Sequence, residues 1–157
     1  MGVRLKKEAA FTFVELLCVL TLLGLIVAIA APAVGTTMDK YELEAAVRNL
    51  AMDMRKSQQK AITSGNVQRI EFRTSVADYR LKDAVTGEQV TVKLPEGINY
   101  SAVNFPRDSS GYQVLHFTRS GAPSRGGTVS LIDKHGRELH VIITPATGRV
   151  RVSETLP

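Results

Sequence analysis

An uncharged run of nineteen residues near the N-terminus constrains this chain more than any other feature. The run extends from Leu16 to Val34, LLCVLTLLGLIVAIAAPAV. As a helix it would measure about 28 Å, enough to cross the hydrocarbon core of a bilayer. Basic residues precede it, and positive flanks stay on the cytoplasmic side. We therefore expect a single-pass membrane protein with its N-terminus in the cytoplasm and the remaining chain outside.

A secretory signal peptide is the alternative interpretation of this segment. The small residues Ala28-Ile29-Ala30 are typical of a cleavage site, and cleavage near Ala31 would release a soluble domain. The helical pattern continues beyond Pro32, however, which favours one long helix over a short peptide that is removed.

The second part of that helix is amphipathic. Apolar or small residues recur at alternating steps of four and three, which places them on one face of a helix from about residue 37 to residue 64: Leu43, Val47, Leu50, Met54, Ser57 and Ala61. Gly65 is a suitable C-cap. Gly24 and Pro32 interrupt the apolar part, because glycine weakens a helix and proline removes a backbone hydrogen bond, so we predict a local break at these positions.

From Val67 onward the hydrophobic period changes to two, the pattern of half-buried strands. Gly-containing turns separate these segments at spacings short enough for antiparallel hairpins. The predicted fold class is α+β, with the long N-terminal helix packed on an antiparallel β-sheet domain.

The segment AFTFVELLCVLTLLGLIVAIAAPAV resembles the N-terminus of type IV pilins and type II secretion pseudopilins. The resemblance implies that a prepilin peptidase cleaves between Ala10 and Phe11 and methylates Phe11. The C-terminal run GGTVSLIDKHGRELHVIITPATGRVRV resembles the GspH/FimT group of minor pseudopilins. Four regions follow: a cytoplasmic leader (1–10), a transmembrane and polymerisation helix (11–34), the amphipathic half of the helix (35–65) and an antiparallel β domain (66–157).

Glu15 is an acidic residue at the entrance of the apolar run. An ionised carboxylate in hydrocarbon costs at least ~2.5 kcal/mol on insertion scales, so it requires a partner or a proton. Cleavage before Phe11 would create an α-amino group at membrane depth. We expect Glu15 to neutralise that amine on a neighbouring subunit and so to fix the register of a fibre. The alternative is that Glu15 lies solvated at headgroup depth.

The net charge of +5 is unevenly distributed. Between residues 119 and 151, six basic side chains face two acidic ones, whereas residues 66 to 118 are balanced. Arg149 and Arg151 alternate with valines and so should project from one face of a strand. With Arg125 and Arg137 they form a candidate DNA-binding group, although a solvated strand face is the simpler interpretation.

The pattern of reactive side chains does not favour an enzyme. The three histidines, His116, His135 and His140, are scattered, and no hydrolase, zinc-protease or P-loop motif is present. We expect no cofactor and no metal site. Asp133, His135 and His140 are the one combination of residues that could converge on a metal ion.

Taken together, these features predict a minor pseudopilin that assembles into or primes a type II secretion pseudopilus or a type IV pilus. The expected partners are other pseudopilins or pilins, the prepilin peptidase, an inner-membrane assembly platform and the membrane itself, through residues 11–34. Two alternatives remain open: a DNA-binding minor pilin of natural DNA uptake, and a secreted soluble β domain.

Overall fold

A computed structural model of the chain describes residues 12–156, and of residues 30–37 it describes the backbone alone. The chain divides into two compact units, with the boundary between Met38 and Asp39. Among the described residues, no helix has both the length and the hydropathy needed to span a bilayer. The predicted membrane segment at 11–34 begins outside the described part and stays a prediction, as does the leader at 1–10.

The helix of the fold, α1, extends from Phe13 to Ser64. Gly24 and Pro32 both lie within these bounds, so neither residue ends the helix; a kink at either stays a prediction. Gly65 follows the last helical residue with a φ of 66°, the left-handed conformation that glycine adopts at no steric cost. The predicted C-cap is therefore confirmed.

Within residues 12–156, eight antiparallel strands form two four-stranded sheets. Sheet A has the order β3-β2-β1-β5, and sheet B has the order β4-β6-β7-β8. The strands are β1 (Gln68–Arg73), β2 (Asp78–Asp83), β3 (Gln89–Lys93), β4 (Asn99–Val103), β5 (Gln113–Phe117), β6 (Gly127–Ile132), β7 (Glu138–Ile143) and β8 (Val150–Ser153).

The core of the globular unit lies between α1 and the inner faces of both sheets. The predicted helical stripe is buried throughout, and Val47, Leu50 and Met54 have no exposed surface. They pack with alternate strand residues from both sheets: Ile70, Phe72, Tyr79, Leu115, Phe117, Val129, Leu131, Val141, Ile143 and Val150. The α+β class and the helix on an antiparallel β domain are therefore confirmed.

Two polar contacts fasten the helix to the sheets. The Tyr79 hydroxyl on β2 donates to Asp53 Oδ2 at 2.7 Å, and Arg55 Nη2 donates to the Val150 carbonyl on β8 at 2.7 Å. One contact reaches each sheet. The apolar stripe of α1 thus lies between two directional contacts that fix how the helix is rotated against both sheets.

Strand β4 has no counterpart in the predicted pattern. Its pairing with β6 shifts register between Tyr100 and Ala102, which marks a β-bulge. A bulge inserts one residue and reverses the alternation, so the period of two is lost over this segment. The sequence therefore shows no clean strand signal here.

Candidate functional site

The start of α1 carries Glu15 in its first turn. The Glu15 N–H donates to Thr12 Oγ1 at 3.2 Å, so Thr12 is the N-cap residue of the helix. Thr12 and Glu15 have the Thr-x-x-Glu spacing of a capping box. Sequence reasoning missed Thr12, although this spacing is a signal that could have found it. The predicted cleavage residues Ala10 and Phe11 lie outside the described residues.

This arrangement gives the Glu15 carboxylate a defined position. It lies at the positive end of the helix dipole and is solvent-exposed, with no ion pair to any of residues 12–156. The Glu15 carboxylate can therefore have either of two roles. It can favour the start of its own helix, or it can bind a cation that another subunit supplies.

Between Phe13 and Ile29, the large apolar side chains of the first unit are exposed. Phe13 is 74% exposed, Ile29 is 70% exposed, and the large apolar side chains between them are also open. Thr21, the uncharged polar residue of this stretch, donates its hydroxyl to backbone carbonyls of its own helix, including that of Cys18 at 3.1 Å. Thr21 therefore needs no polar partner from outside, but the apolar surface around it is unburied among the described residues of this unit.

Three of the four candidate DNA-binding arginines lie at one end of sheet B. Arg151 is directly opposite Ile142 in the β7–β8 pairing, and the Arg149 carbonyl accepts a hydrogen bond from the Thr144 N–H at the end of the same hairpin. Arg125 lies two residues before β6 and lines an open groove of about 550 Å³ that also contains Ile142. All three arginines are exposed.

The electrostatics of this groove favour an anion. Its lining includes Asn104, Ser124, Thr128 and Pro145 but no acidic residue. Val150, between the two arginines, is 4% exposed and faces the core. The predicted alternation is therefore seen at Val150, whereas Val152, the second valine of the pattern, is 41% exposed. We name Arg125, Arg149 and Arg151 the C-terminal arginine cluster.

Arg137 is not part of that cluster. It precedes β7, whereas Arg149 lies beyond the other end of the same hairpin, roughly 20 Å away along the strands. Its guanidinium Nε donates to Asp133 Oδ2 at 2.7 Å, and its backbone N–H donates to Asp133 Oδ1 at 2.9 Å. These bonds lower the pKa of the Asp133 carboxyl against the opposing effect of its burial. Arg137 therefore stabilises the β6–β7 turn.

The histidines do not converge. His135 Nε2 lies 2.8 Å from Asp39 Oδ2 at the start of the globular unit, and His140 Nδ1 lies 2.8 Å from Ser130 Oγ on sheet B. His116 is on sheet A. Within residues 12–156, no group of three or more His, Cys, Asp or Glu side chains has the geometry to hold a metal ion.

The loop between β5 and β6 contacts α1. Gly121 has a φ of 78°, and its carbonyl accepts a hydrogen bond from Gln58 Nε2 of α1 at 2.9 Å. A Cβ atom at Gly121 would lie 2.6 Å from Ile62 Cδ1, so the Ile62 side chain would have to shift to admit any larger residue, and the positive φ would strain that residue as well. This docking places Arg125 at its position beside sheet B.

Residues 5–31 match the model of the prokaryotic N-terminal methylation motif. Solved structures with a similar fold include two minor pilin-like proteins. One is the minor pseudopilin EpsH from the type 2 secretion system of Vibrio cholerae (TM-score 0.57, 14% identity, 71% of this chain and 96% of that chain). The other is the type IV minor pilin FimU of Pseudomonas aeruginosa (TM-score 0.55, 14% identity, 74% and 92%).

The chain has a type IV pilin-like fold. The methylation motif covers the start of α1, and the structural similarity to EpsH covers 71% of the chain. No curated protein sequence is similar enough to the chain to count as a match. The pilin-like assignment thus rests on the motif and the fold together.

Proposed function

We propose that this pilin-like protein is a minor pseudopilin or minor pilin, a structural subunit that primes or joins a short fibre after processing by a prepilin peptidase. The observation that carries the proposal is the methylation motif at residues 5–31, directly ahead of a domain with the pilin-like fold. An ordinary secreted domain would have no use for a carboxylate in the first turn of its leader helix.

The proposed processing point is between Ala10 and Phe11, with Phe11 methylated and residues 1–10 removed as a cytoplasmic leader. Residues 11–34 would hold the subunit in the inner membrane, residues 35–65 would connect to the globular unit, and the β domain (66–157) would lie outside the cytoplasm. Its partners would be other pilins or pseudopilins and an inner-membrane assembly platform. The work of such a subunit is assembly and not catalysis.

Intact mass of the protein isolated from its cells tests the processing. An N-terminus at methylated Phe11 supports a pilin-like subunit. An N-terminus near Ala31 would mean that an ordinary signal peptidase releases a soluble domain, and it would refute the proposal.

The assembly role of Glu15 has a separate test. We expect Glu15→Ala and Glu15→Gln to be cleaved normally but to be absent from sheared fibres, because neither side chain can neutralise a neighbour's α-amine. Thr12→Ser is the matched control, since a serine N-cap retains the hydrogen bond to the Glu15 N–H.

Thr12→Ala distinguishes the two explanations of the carboxylate. This variant loses the cap, which costs about 1 kcal/mol of helix stability, but keeps Glu15. If Thr12→Ala is excluded from fibres as strongly as Glu15→Gln, the carboxylate acts on its own helix and the intersubunit role is wrong.

DNA binding is the second candidate function, and the C-terminal arginine cluster favours it. Arg125 lines a groove without an acidic residue in its lining, Arg149 and Arg151 are exposed on the adjacent hairpin, and guanidinium groups bind phosphate in a bidentate manner. We expect Arg149→Ala with Arg151→Ala to weaken duplex binding and to flatten its salt dependence by about two units of slope.

Arg137→Ala is the matched control for this test, since Arg137 carries the same charge but lies at the other end of the hairpin and bonds to Asp133. The measurement is fluorescence anisotropy of a labelled duplex across a salt series. Equal binding by wild type and the Arg149/Arg151 double variant, or equal losses in the double variant and the control, would remove the DNA hypothesis.

A further inference from the structure

The outer face of sheet A is unusually rich in cations for a region whose charges balance in sequence. Register places Lys82 of β2 directly opposite Arg69 of β1, and Arg69 directly opposite His116 of β5. Like charges that face each other across strands destabilise a sheet. Three basic side chains in one row therefore require an explanation.

Two members of the row are compensated within the fold. Arg69 Nη2 contacts Asp108 Oδ2 at 2.6 Å and Glu71 Oε1 at 3.3 Å. Burial, and secondarily the charge of Arg69, lower the pKa of the His116 ring, so His116 is neutral at pH 7. Lys82, by contrast, makes no ion pair within the described part of the chain.

Arg80 is the second uncompensated cation. It lies on the same outer face as Lys82, two residues earlier on β2, and directly opposite Glu71. The Glu71 carboxylate contacts Arg69, however, and Arg80 has no ion pair among residues 12–156. The Nε atoms of both Arg69 and Arg80 are buried without an acceptor among these residues, so a ligand from outside would bind the terminal Nη groups of Arg80.

We propose that Arg80 and Lys82 bind an extended acidic segment of a partner protein with carboxylates at every second residue. Alternate side chains of a strand are about 6.8 Å apart, and an extended peptide laid along β2 repeats at the same interval. A carboxylate can bind the two terminal Nη groups of Arg80 in a bidentate manner.

The other charges on this face favour a polypeptide over a nucleic acid. Glu71 and Asp108 lie beside the two cations, and they would repel a continuous phosphate backbone. Discrete carboxylates at a two-residue interval can contact Arg80 and Lys82 and avoid both acidic side chains. The proposal concerns a different face from the C-terminal arginine cluster and does not depend on fibre assembly.

Peptide binding to the full-length chain in detergent tests the proposal. The probe is a fluorescent (Glu-Thr)5 peptide, and its control is a block peptide of the same composition, five glutamates followed by five threonines. We expect the alternating peptide to bind more tightly, and Arg80→Gln with Lys82→Gln to weaken it by roughly tenfold or more. The matched variant, Lys40→Gln with Arg119→Gln, removes the same charge from exposed residues outside both proposed surfaces and should leave peptide binding unchanged.

Three results would overturn the proposal: equal affinity for the two peptides, equal losses in the two double variants, or no binding of the peptide at all. A duplex DNA that loses affinity in the Arg80/Lys82 variant, while the peptide does not, would assign the face to nucleic acid instead. Near-UV circular dichroism of each variant confirms that the aromatic core is intact.

Discussion

The hydrogen bond between Tyr79 and Asp53 should account for much of the directional coupling between α1 and sheet A. Its oxygen atoms are 2.7 Å apart, the Tyr79 residue is 1% exposed, and the Asp53 side chain is 16% exposed. Tyr79→Phe removes the donor and leaves the buried ring. A hydrogen bond to a charged acceptor contributes about 1.5–3 kcal/mol. Because Asp53 Oδ1 keeps its contact with Lys56 Nζ at 3.3 Å, we expect a loss near the lower end, about 1.5–2 kcal/mol.

The assay is urea unfolding of the full-length chain in detergent, followed by near-UV circular dichroism. A double-mutant cycle with Asp53→Asn should give a coupling free energy of at least ~1 kcal/mol, since the two side chains contact each other directly. Tyr100→Phe is the control, because the Tyr100 hydroxyl donates to a neutral acceptor, the Asp78 carbonyl, at 3.0 Å. We expect this control to lose about 1 kcal/mol or less.

The pH dependence of the same hydrogen bond has a definite sign. Burial, and secondarily Asp53, raise the pKa of the Tyr79 hydroxyl well above its usual value of 10. A group whose pKa is raised by folding stabilises the fold fully below its unfolded pKa, so this contribution is complete at neutral pH and declines above pH ~10. Additive effects in the cycle, or a Tyr79→Phe loss no larger than that of Tyr100→Phe, would refute the reasoning.

Two further predictions concern the loops that shape the globular unit. Gly121→Ala should destabilise the globular unit by more than Gly136→Ala. Both residues have φ near 80°, which costs an alanine ~1–2 kcal/mol, but only at Gly121 would the new Cβ also contact Ile62. Equal unfolding midpoints of the two variants would contradict this close approach. Asp83 accepts hydrogen bonds from Gln68 Nε2 at 2.8 Å and from the backbone of Val85 and Thr86, which hold its pKa well below the usual range. A carboxyl group whose pKa is lowered by folding stabilises the fold above pH ~4, and this stabilisation is lost as the pH falls. Asp83→Asn should therefore reduce the difference in free energy of unfolding between pH 7 and pH 3. An unchanged difference would argue against this role of Asp83.

Local periodicity predicted the elements of this fold well. The stripe through Leu43, Val47 and Leu50 and the C-cap at Gly65 depend on neighbours within one or two turns, and both are confirmed. The pairing of strands cannot be predicted from local periodicity in this way. Alternation indicates which side chains share a face of a strand, but not which strand lies beside it. The division into two sheets, with β5 returning to pair with β1, was therefore absent from the prediction.

The candidate sites show the same limit. The sequence-based prediction placed Arg137 in the same group as Arg149, but in the register of the β7–β8 hairpin the two residues lie at opposite ends. The balanced charge of residues 66–118 likewise concealed Arg80 and Lys82, because Glu71, which lies directly opposite Arg80, contacts Arg69 instead. Net charge over a segment carries no information on which cation each carboxylate contacts.

Because α1 packs on the inner faces of both sheets, the proposed binding surfaces of the globular unit lie on outer faces. The inner faces of sheets A and B pack into the core around Val47, Leu50 and Met54, where a charged side chain would be buried without a partner. Outer-face side chains contribute little to that core, and surface substitutions usually change stability by no more than about 0.5 kcal/mol. Variants of Arg80 and Lys82 and of Arg149 and Arg151 should therefore fold normally. A loss of binding in either pair then reports on the surface that it alters, and the two activities can be separated within one folded chain.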